Sequence, residues 1–390
     1  MTRYAVVAGP DPGHAFPAIA VAVALRGRGH DVLFVTGTQW QAVVEAEGMV
    51  YGPIGVLPPD ERHEDFGFRL WEQGRLMAPG VATVLGGFRP ELVVVDTLSI
   101  PGTFAADLLE LPWVELQPHT FTHQSRALPP WGAGMTPGRT PIGRARDAFL
   151  RRMHARSMAA ADEQRAAARR AIGLSADPAP PVARLIATVP AMEPARPDWP
   201  ADTHLVGSLE WEPRLGLLVL PPGDDPLVLV SDSTAGGARQ TLLAAALEAL
   251  PGAGFRVVGT RLAPYDGVVP PGAVVGSGEQ LPLLAETAAV VCTGGHGLVA
   301  KALTRGVPLV VVPGPGDQRE NAARASRLGA AAVLPPARLS PQRLRDAVRR
   351  VVADPGYAAA ARRIAETGRG LGAERAAELV EEALAVSAAR

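Results

Sequence analysis

Short, wholly apolar runs alternating with alanine- and leucine-rich stretches of helix length restrict most what this chain can become. The first run is Tyr4–Ala8, followed by the turn Gly9-Pro10-Asp11-Pro12-Gly13 and an apolar, helix-like segment from Pro17 to about Arg28. Proline suits the first turn of a helix, where its missing N–H has no partner to lose. A second run, Asp31–Thr36, comes next, so strand, helix and strand fit within about 36 residues, and a helix-like segment then runs to about Glu47. Unbroken apolar strands belong to parallel sheets covered by helices on both faces. The alternation continues with strands at Leu92–Val95 and Trp113–Leu116 around a helix at Gly102–Glu110. A long charged helix runs from Gly143 to about Ile172, and shorter strands follow at Leu185–Val189 and Thr203–Val206.

The pattern breaks at 207–225 into tryptophan, proline and acidic residues, which marks a linker. A second array then runs through strands at Leu227–Val230, Phe255–Val258, Ala289–Cys292 and Leu309–Val312. Its helices are near Gln240–Leu250, Leu298–Thr304 and Arg319–Leu328. The reading is an α/β chain of two Rossmann-like domains, 1–206 and 226–370, with a helix at 371–390 packing across them. Such folds bind ligands at the carboxyl ends of their strands, so the expected site is a cleft between the domains.

Composition narrows the function. With 38 basic and 39 acidic side chains the net charge is −1, which argues against nucleic acid or an anionic membrane as the main partner. The single cysteine, Cys292, excludes a disulfide framework and a cysteine-rich metal site. Only Lys301 among the basic residues is lysine, a bias that reads as codon usage rather than selection for guanidinium groups. No apolar run reaches the ~18 residues of a membrane span, and the first residues lack a secretory pattern. A cytoplasmic protein is the expectation, with a homodimer left open.

Three places carry chemistry. Gly13-His14-Ala15-Phe16-Pro17 lies in the first strand-to-helix turn, where an imidazole can take a proton from a hydroxyl; alone, His14 would equally fill or cap the turn. Asp96 ends the run Leu92–Val95 and can orient that ring and stabilise its cation; Asp11 competes for the role, and a helix N-cap is the plainer reading of Asp96. The third place is Thr293-Gly294-Gly295-His296-Gly297-Leu298, followed by Asp317 and Gln318 after the next strand. Glycines opening a helix bring backbone N–H groups and the helix dipole to an anion, which suits a diphosphate, and a carboxylate and an amide suit sugar hydroxyls. Close strand–helix packing and a helix cap would explain the same residues without a ligand.

With these residues in view, the chain resembles the inverting GT-B glycosyltransferases of family one, especially actinobacterial enzymes that decorate natural products. The resemblance covers nearly the whole chain: the Gly-His-x-x-Pro opening, Arg-Gly-His-Asp-Val at 28–32, and the Gly-Gly-x-Gly to Asp-Gln block. It implies an acceptor in the N-terminal domain, an NDP-sugar (TDP or UDP) co-substrate in the C-terminal one, and neither metal nor cofactor. On it, His14 matches the general base and Asp96 its partner, 294–297 the diphosphate turn, and Asp317 and Gln318 the sugar-contacting pair. Gln280 falls where a residue meets the nucleobase, and Ser233 and Thr234 where a hydroxyl meets phosphate. The chain departs from the pattern at Thr293 and Leu298, which stand where histidine and threonine are usual. It departs again at Lys301, where a glutamate commonly contacts the ribose; this lysine either pairs with phosphate or is solvated at the surface.

The acceptor is expected to be apolar, taken up among Phe66, Phe68, Trp71, Met77, Phe121, Trp131, Met135 and Met153, which could equally be core. His119 and His123 are expected near the same cleft but lack partners for a metal. Alternatives are a non-catalytic accessory protein that binds a nucleotide sugar, a GT-B nucleotide-sugar epimerase and a lipid-linked sugar transferase.

Overall fold

A computed structural model describes residues 1–55, 66–232 and 241–388. The N-terminal half runs β1 (Arg3–Val7), α1 (Pro12–Gly27), β2 (Asp31–Thr36), α2 (Gln41–Ala46), β3 (Val50–Pro53), α3 (Phe66–Phe88), β4 (Leu92–Asp96), α4 (Ile100–Leu108), β5 (Trp113–Gln117), α5 (Pro141–Arg170), β6 (Ala183–Ile186) and β7 (Thr203–Leu205). Among the described residues its strands form one sheet in the order β3-β2-β1-β4-β5-β6-β7, with every pairing parallel. Alternation along each strand explains the unbroken apolar runs. Tyr4, Val6, Val32, Phe34, Leu92 and Val94 pack to one face, beneath α1, while Ala5, Val7, Leu33, Val35, Val93 and Val95 pack to the other, beneath α3 and α4.

The C-terminal half runs β8 (Leu227–Ser231), α6 (Thr241–Ala249), β9 (Arg256–Thr260), β10 (Ala273–Gly276), α7 (Gln280–Glu286), β11 (Thr287–Cys292), α8 (His296–Thr304), β12 (Leu309–Val311), α9 (Gln318–Arg327), β13 (Ala331–Val333), α10 (Pro341–Ala353), α11 (Pro355–Glu366) and α12 (Ala373–Ala388). Its described strands make a second parallel sheet, β10-β9-β8-β11-β12-β13. This two-sheet α/β arrangement is the one the alternation predicts. Several elements differ in extent. β3, α3, β10 and β13 carry no clear signal in the sequence. The strand expected at Leu185–Val189 is β6 instead, and Val189 and Met192 leave the first sheet to pack in the core of the second half. The last helix, α12, returns to the first half, where Ala376, Ala377, Leu379, Val380 and Ala383 enter the core beside α1.

Buried charge crosses between the halves. Glu193 pairs with Arg196 and, at 2.9 Å, with Arg324 of α9, whose Nε donates to Glu320 at 2.8 Å. Glu320 also accepts from the backbone N–H of Gly134 at 2.9 Å. All four charged side chains are buried, so each ion needs its partners to offset lost hydration.

Candidate active site

β1 and β4 are neighbours in register, with Val7 opposite Val95, so the loops after them open at the same sheet edge. After β1, the chain turns at Pro10-Asp11 and starts α1 with Pro12, which puts His14 in the first helical turn. After β4, Asp96 ends the strand with its side chain fully buried. The two meet: His14 Nδ1 lies 2.8 Å from Asp96 Oδ1. Asp96 Oδ2 accepts from the Leu98 N–H at 3.1 Å and the Ser99 hydroxyl at 3.2 Å, so the carboxylate is fixed from both sides. An ionised carboxylate only accepts, which places the ring proton on Nδ1 and leaves a lone pair on Nε2. Asp11, the competing candidate, is exposed and acts on the ring only through its charge.

Burial on its own would depress the His14 pKa. The Asp96 charge and hydrogen bond, with smaller contributions from Asp11 and Asp317, outweigh it, and the net direction is upward. Asp317 belongs to the second half, so its charge reaches His14 across the cleft. The ring is 21% exposed, which leaves a route for a proton.

Facing this turn is the start of α8. Gly294 has φ +92, and a Cβ there would lie 2.9 Å from the carbonyl oxygen of Gln318. Only glycine lets the chain turn this tightly over α9. A Cβ on Gly295 or Gly297 would meet nothing within 4 Å, so both open on empty space. The N–H groups of a first helical turn have no partners inside the helix, and α8 is nine residues long, enough for its dipole to favour an anion there.

A cavity of about 370 Å³ joins the two turns: Pro12, Gly13 and Phe16 line one wall, and Thr293, Gly295, Gly297, Leu298, Gln280 and Lys301 line the other. That volume lies in the usual range of small-molecule sites, about 300–1,000 Å³.

The second-half residues divide by what their side chains do. Asp317 Oδ2 accepts from Asn321 Nδ2 at 2.9 Å, and the same Nδ2 lies 3.0 Å from the Gly294 carbonyl oxygen, so Asn321 ties Asp317 to the glycine turn. Gln318 is buried, its Oε1 accepting from Gly314 N–H at 3.0 Å. His296 is also buried: its Nε2–H donates to the Ala187 carbonyl of the first half at 3.0 Å, so this imidazole bridges the halves. Burial, then the charge on His119, push its pKa down to about 4. Gln280 Nε2 donates to Thr260 Oγ1 at 2.8 Å. Ser233 and Thr234 lie outside the described residues.

Lys301 is not solvated at the surface. Its ammonium sits 2.6 Å from Glu212 Oε1, in an ion pair whose side chains are 11% and 9% exposed. Glu212 comes from the segment read only as a linker and gave no local signal; Asn321, Thr260 and Ser231 were likewise not singled out.

The expected apolar set does not assemble as one pocket. Trp71 stacks on Phe104, Met77 packs on the core beneath α3, and Met153 is exposed. Phe121, Trp131 and Met135 line a separate small hollow near Arg196 and Arg324. The side chain of Phe66 lies outside the described residues. His119 donates from Nδ1 to the Thr120 carbonyl at 2.9 Å; burial pushes its pKa down, as it does for His123. Among the described residues no three His, Cys, Asp or Glu side chains gather as a metal site would require.

Two facing parallel α/β units with a cavity between their strand ends define a GT-B fold. Residues 268–385 match the family described as erythromycin biosynthesis protein CIII-like, C-terminal domain. Over 93% of its length the chain is 29% identical to 4′-demethylrebeccamycin synthase of Lentzea aerocolonigenes, covering 94% of that protein. The glycotransferase of kitacinnamycin superposes with a TM-score of 0.79 at 23% identity, over 98% of this chain and 99% of that one. SsfS6, a glycosyltransferase of Streptomyces sp. SF2575 solved with thymidine diphosphate, gives 0.66 at 22% identity, over 98% and 100%. The fold is that of the GT-B class, and the solved structures it superposes on along nearly its whole length are glycosyltransferases.

Proposed function

We propose that the protein moves a sugar, with inversion and without a metal, from a TDP- or UDP-sugar to a natural-product acceptor of polyketide-like kind. The attacking group is a hydroxyl or an aromatic carbon, and His14 is the general base. One observation carries the reading: the turn holding His14 and the glycine turn of α8 bound the same cavity. For a hydroxyl, the acceptor oxygen attacks the anomeric carbon while its proton passes to Nε2 of His14. The bond from that carbon to the diphosphate oxygen breaks, and the electron pair leaves with the diphosphate. Asp96 stabilises the resulting imidazolium, and the open N–H groups at Gly295–Leu298 stabilise the leaving charge. In this reading the first half holds the acceptor, as the position of His14 supports, and the second holds the donor. The relation to a natural-product synthase and to a structure that binds thymidine diphosphate supports the choice of substrates.

The test is His14→Ala, assayed by mass spectrometry with TDP- and UDP-sugars against phenolic and macrolide acceptors. A general base is worth about 10²–10⁴-fold, so turnover falls by at least about 100-fold while TDP still binds. Near wild-type turnover would refute the assignment. The anomeric configuration of the product reads inversion directly, and EDTA leaves the rate unchanged.

A further inference from the structure

Of residues 141–160 in α5, Asp147 alone is buried, so over about five turns this helix has little packed against it. Its first part is nonetheless fastened: Asp147 accepts the Gly138 N–H at 2.7 Å, and Arg151 donates to the Leu128 carbonyl at 3.1 Å. One exposed face is apolar. Ile142, Phe149 and Met153 are 84%, 63% and 52% exposed and, at spacings of seven and four, share one side of the helix. Arg152 and Arg156, both exposed, flank that stripe, each three residues after one of its members. From 141 to 161 the sequence holds five arginines and a single acid, Asp147, which is buried 2.6 Å from Arg146. A net charge of −1 over the whole chain thus conceals a strongly basic, partly apolar face.

We infer that this face of α5 docks the protein on a bilayer of anionic phospholipid. Ile142, Phe149 and Met153 enter between the headgroups while Arg152 and Arg156 meet the lipid phosphates beside them, as in a helix lying in the plane of the interface. A second copy of the chain fits the face poorly, because a two-fold contact would set arginine against arginine with no carboxylate between them. Neutral lipid would take the apolar stripe but give the guanidinium groups no counter-charge. The place of the helix suits an apolar acceptor. Just before α5, the Gly134 N–H is held by Glu320 at 2.9 Å and the Met135 carbonyl by Arg327 at 3.5 Å, both from the second half. The helix therefore starts beside the seam between the halves, and docking turns that seam toward the phase in which apolar molecules concentrate. The docking itself holds whatever the acceptor is.

The experiment is sedimentation of the full chain with vesicles of phosphatidylcholine alone and of phosphatidylcholine with about one-third phosphatidylglycerol. Wild type partitions at least about tenfold more strongly onto the anionic vesicles, and the excess fades as NaCl is raised to about 0.5 M. Arg152→Gln with Arg156→Gln lowers anionic partitioning by about 25-fold, at about fivefold per arginine. Phe149→Ser with Met153→Ser lowers it by at least about tenfold. All four side chains are exposed, so melting temperature stays within about 2 °C of wild type. Arg343→Gln with Arg349→Gln, exposed on α10 of the other half, leaves partitioning unchanged. Equal partitioning onto the two kinds of vesicle, or onto neither, overturns the inference. So does an α10 pair that matters as much as the α5 pair. A dimer in sedimentation velocity that Phe149→Ser with Met153→Ser splits would assign the face to a second copy and overturn it as well.

Discussion

Asp96→Asn is the sharpest perturbation of the proposed mechanism, because the structure dictates how the new amide must sit. The Leu98 N–H and the Ser99 hydroxyl both approach Oδ2, so the amide oxygen takes that position. The NH₂ group then occupies the place of Oδ1, 2.8 Å from His14 Nδ1, and donates where the carboxylate accepted. Nδ1 must supply the lone pair, the proton moves to Nε2, and the ring presents a donor to the acceptor hydroxyl. The loss is of base and of charge together. It is expected to be about 10²–10⁴-fold in kcat, or about 3–5.5 kcal/mol of barrier. Because Asp96 raises the His14 pKa, the rate of the wild type climbs with pH to a midpoint above 6.5, and the residual rate of the variant climbs at lower pH. Initial rates from pH 5 to 9, with TDP affinity measured alongside, separate chemistry from binding. A variant within about fivefold of wild-type kcat, far short of a general base's ~10²-fold, would mean that His14 does not depend on this carboxylate.

Gly294→Ala forces a methyl into a left-handed turn against the Gln318 carbonyl, so we expect a loss of about 1–3 kcal/mol of stability and weaker TDP binding, read by urea unfolding and titration. His296 is held neutral with a pKa near 4, below its unfolded value of 6.5, so its stabilisation is present above pH 6.5 and lost as pH falls toward 4. By pH 5 about 2 kcal/mol of it is lost, with His119 and His123 acting in the same direction and His14 in the opposite one. Urea unfolding at pH 7.5 and pH 5 should show the drop, and His296→Gln should shrink it. Glu193→Ala leaves Arg196 buried without a carboxylate and Arg324 with Glu320 alone; a loss of about 3–5 kcal/mol in the same assay is expected.

The central strands were legible because burial on both faces leaves an unbroken apolar run, as in Leu92–Val95 and Leu227–Val230. The strands that escaped, β3, β10 and β13, are all sheet edges of three or four residues. With one side unpaired they need less apolar sequence; β10 is half-buried throughout. His14 and Asp96 could be matched across 82 residues since both sit at strand ends, where a parallel sheet gathers its loops. Lys301 and Glu212 lie 89 residues apart, one on a helix and one on a coil, and no periodicity links such positions. His296 shows the converse limit: its place in a glycine turn pointed to phosphate, but only packing of the halves reveals that the ring turns to Ala187.

The course of α12 bears on how such a chain can be recombined. The polypeptide crosses between its halves at 207–225 and again just before Ala373, and its last helix is pinned to the first half by Arg28 and His30 on Glu381, at 2.8 and 2.7 Å. A chimera spliced once after residue 225 would lay a foreign stripe against α1 in place of Ala376, Ala377, Val380 and Ala383. A chimera that keeps both interfaces native needs two junctions, with 373–388 inherited from the same parent as the opening sheet.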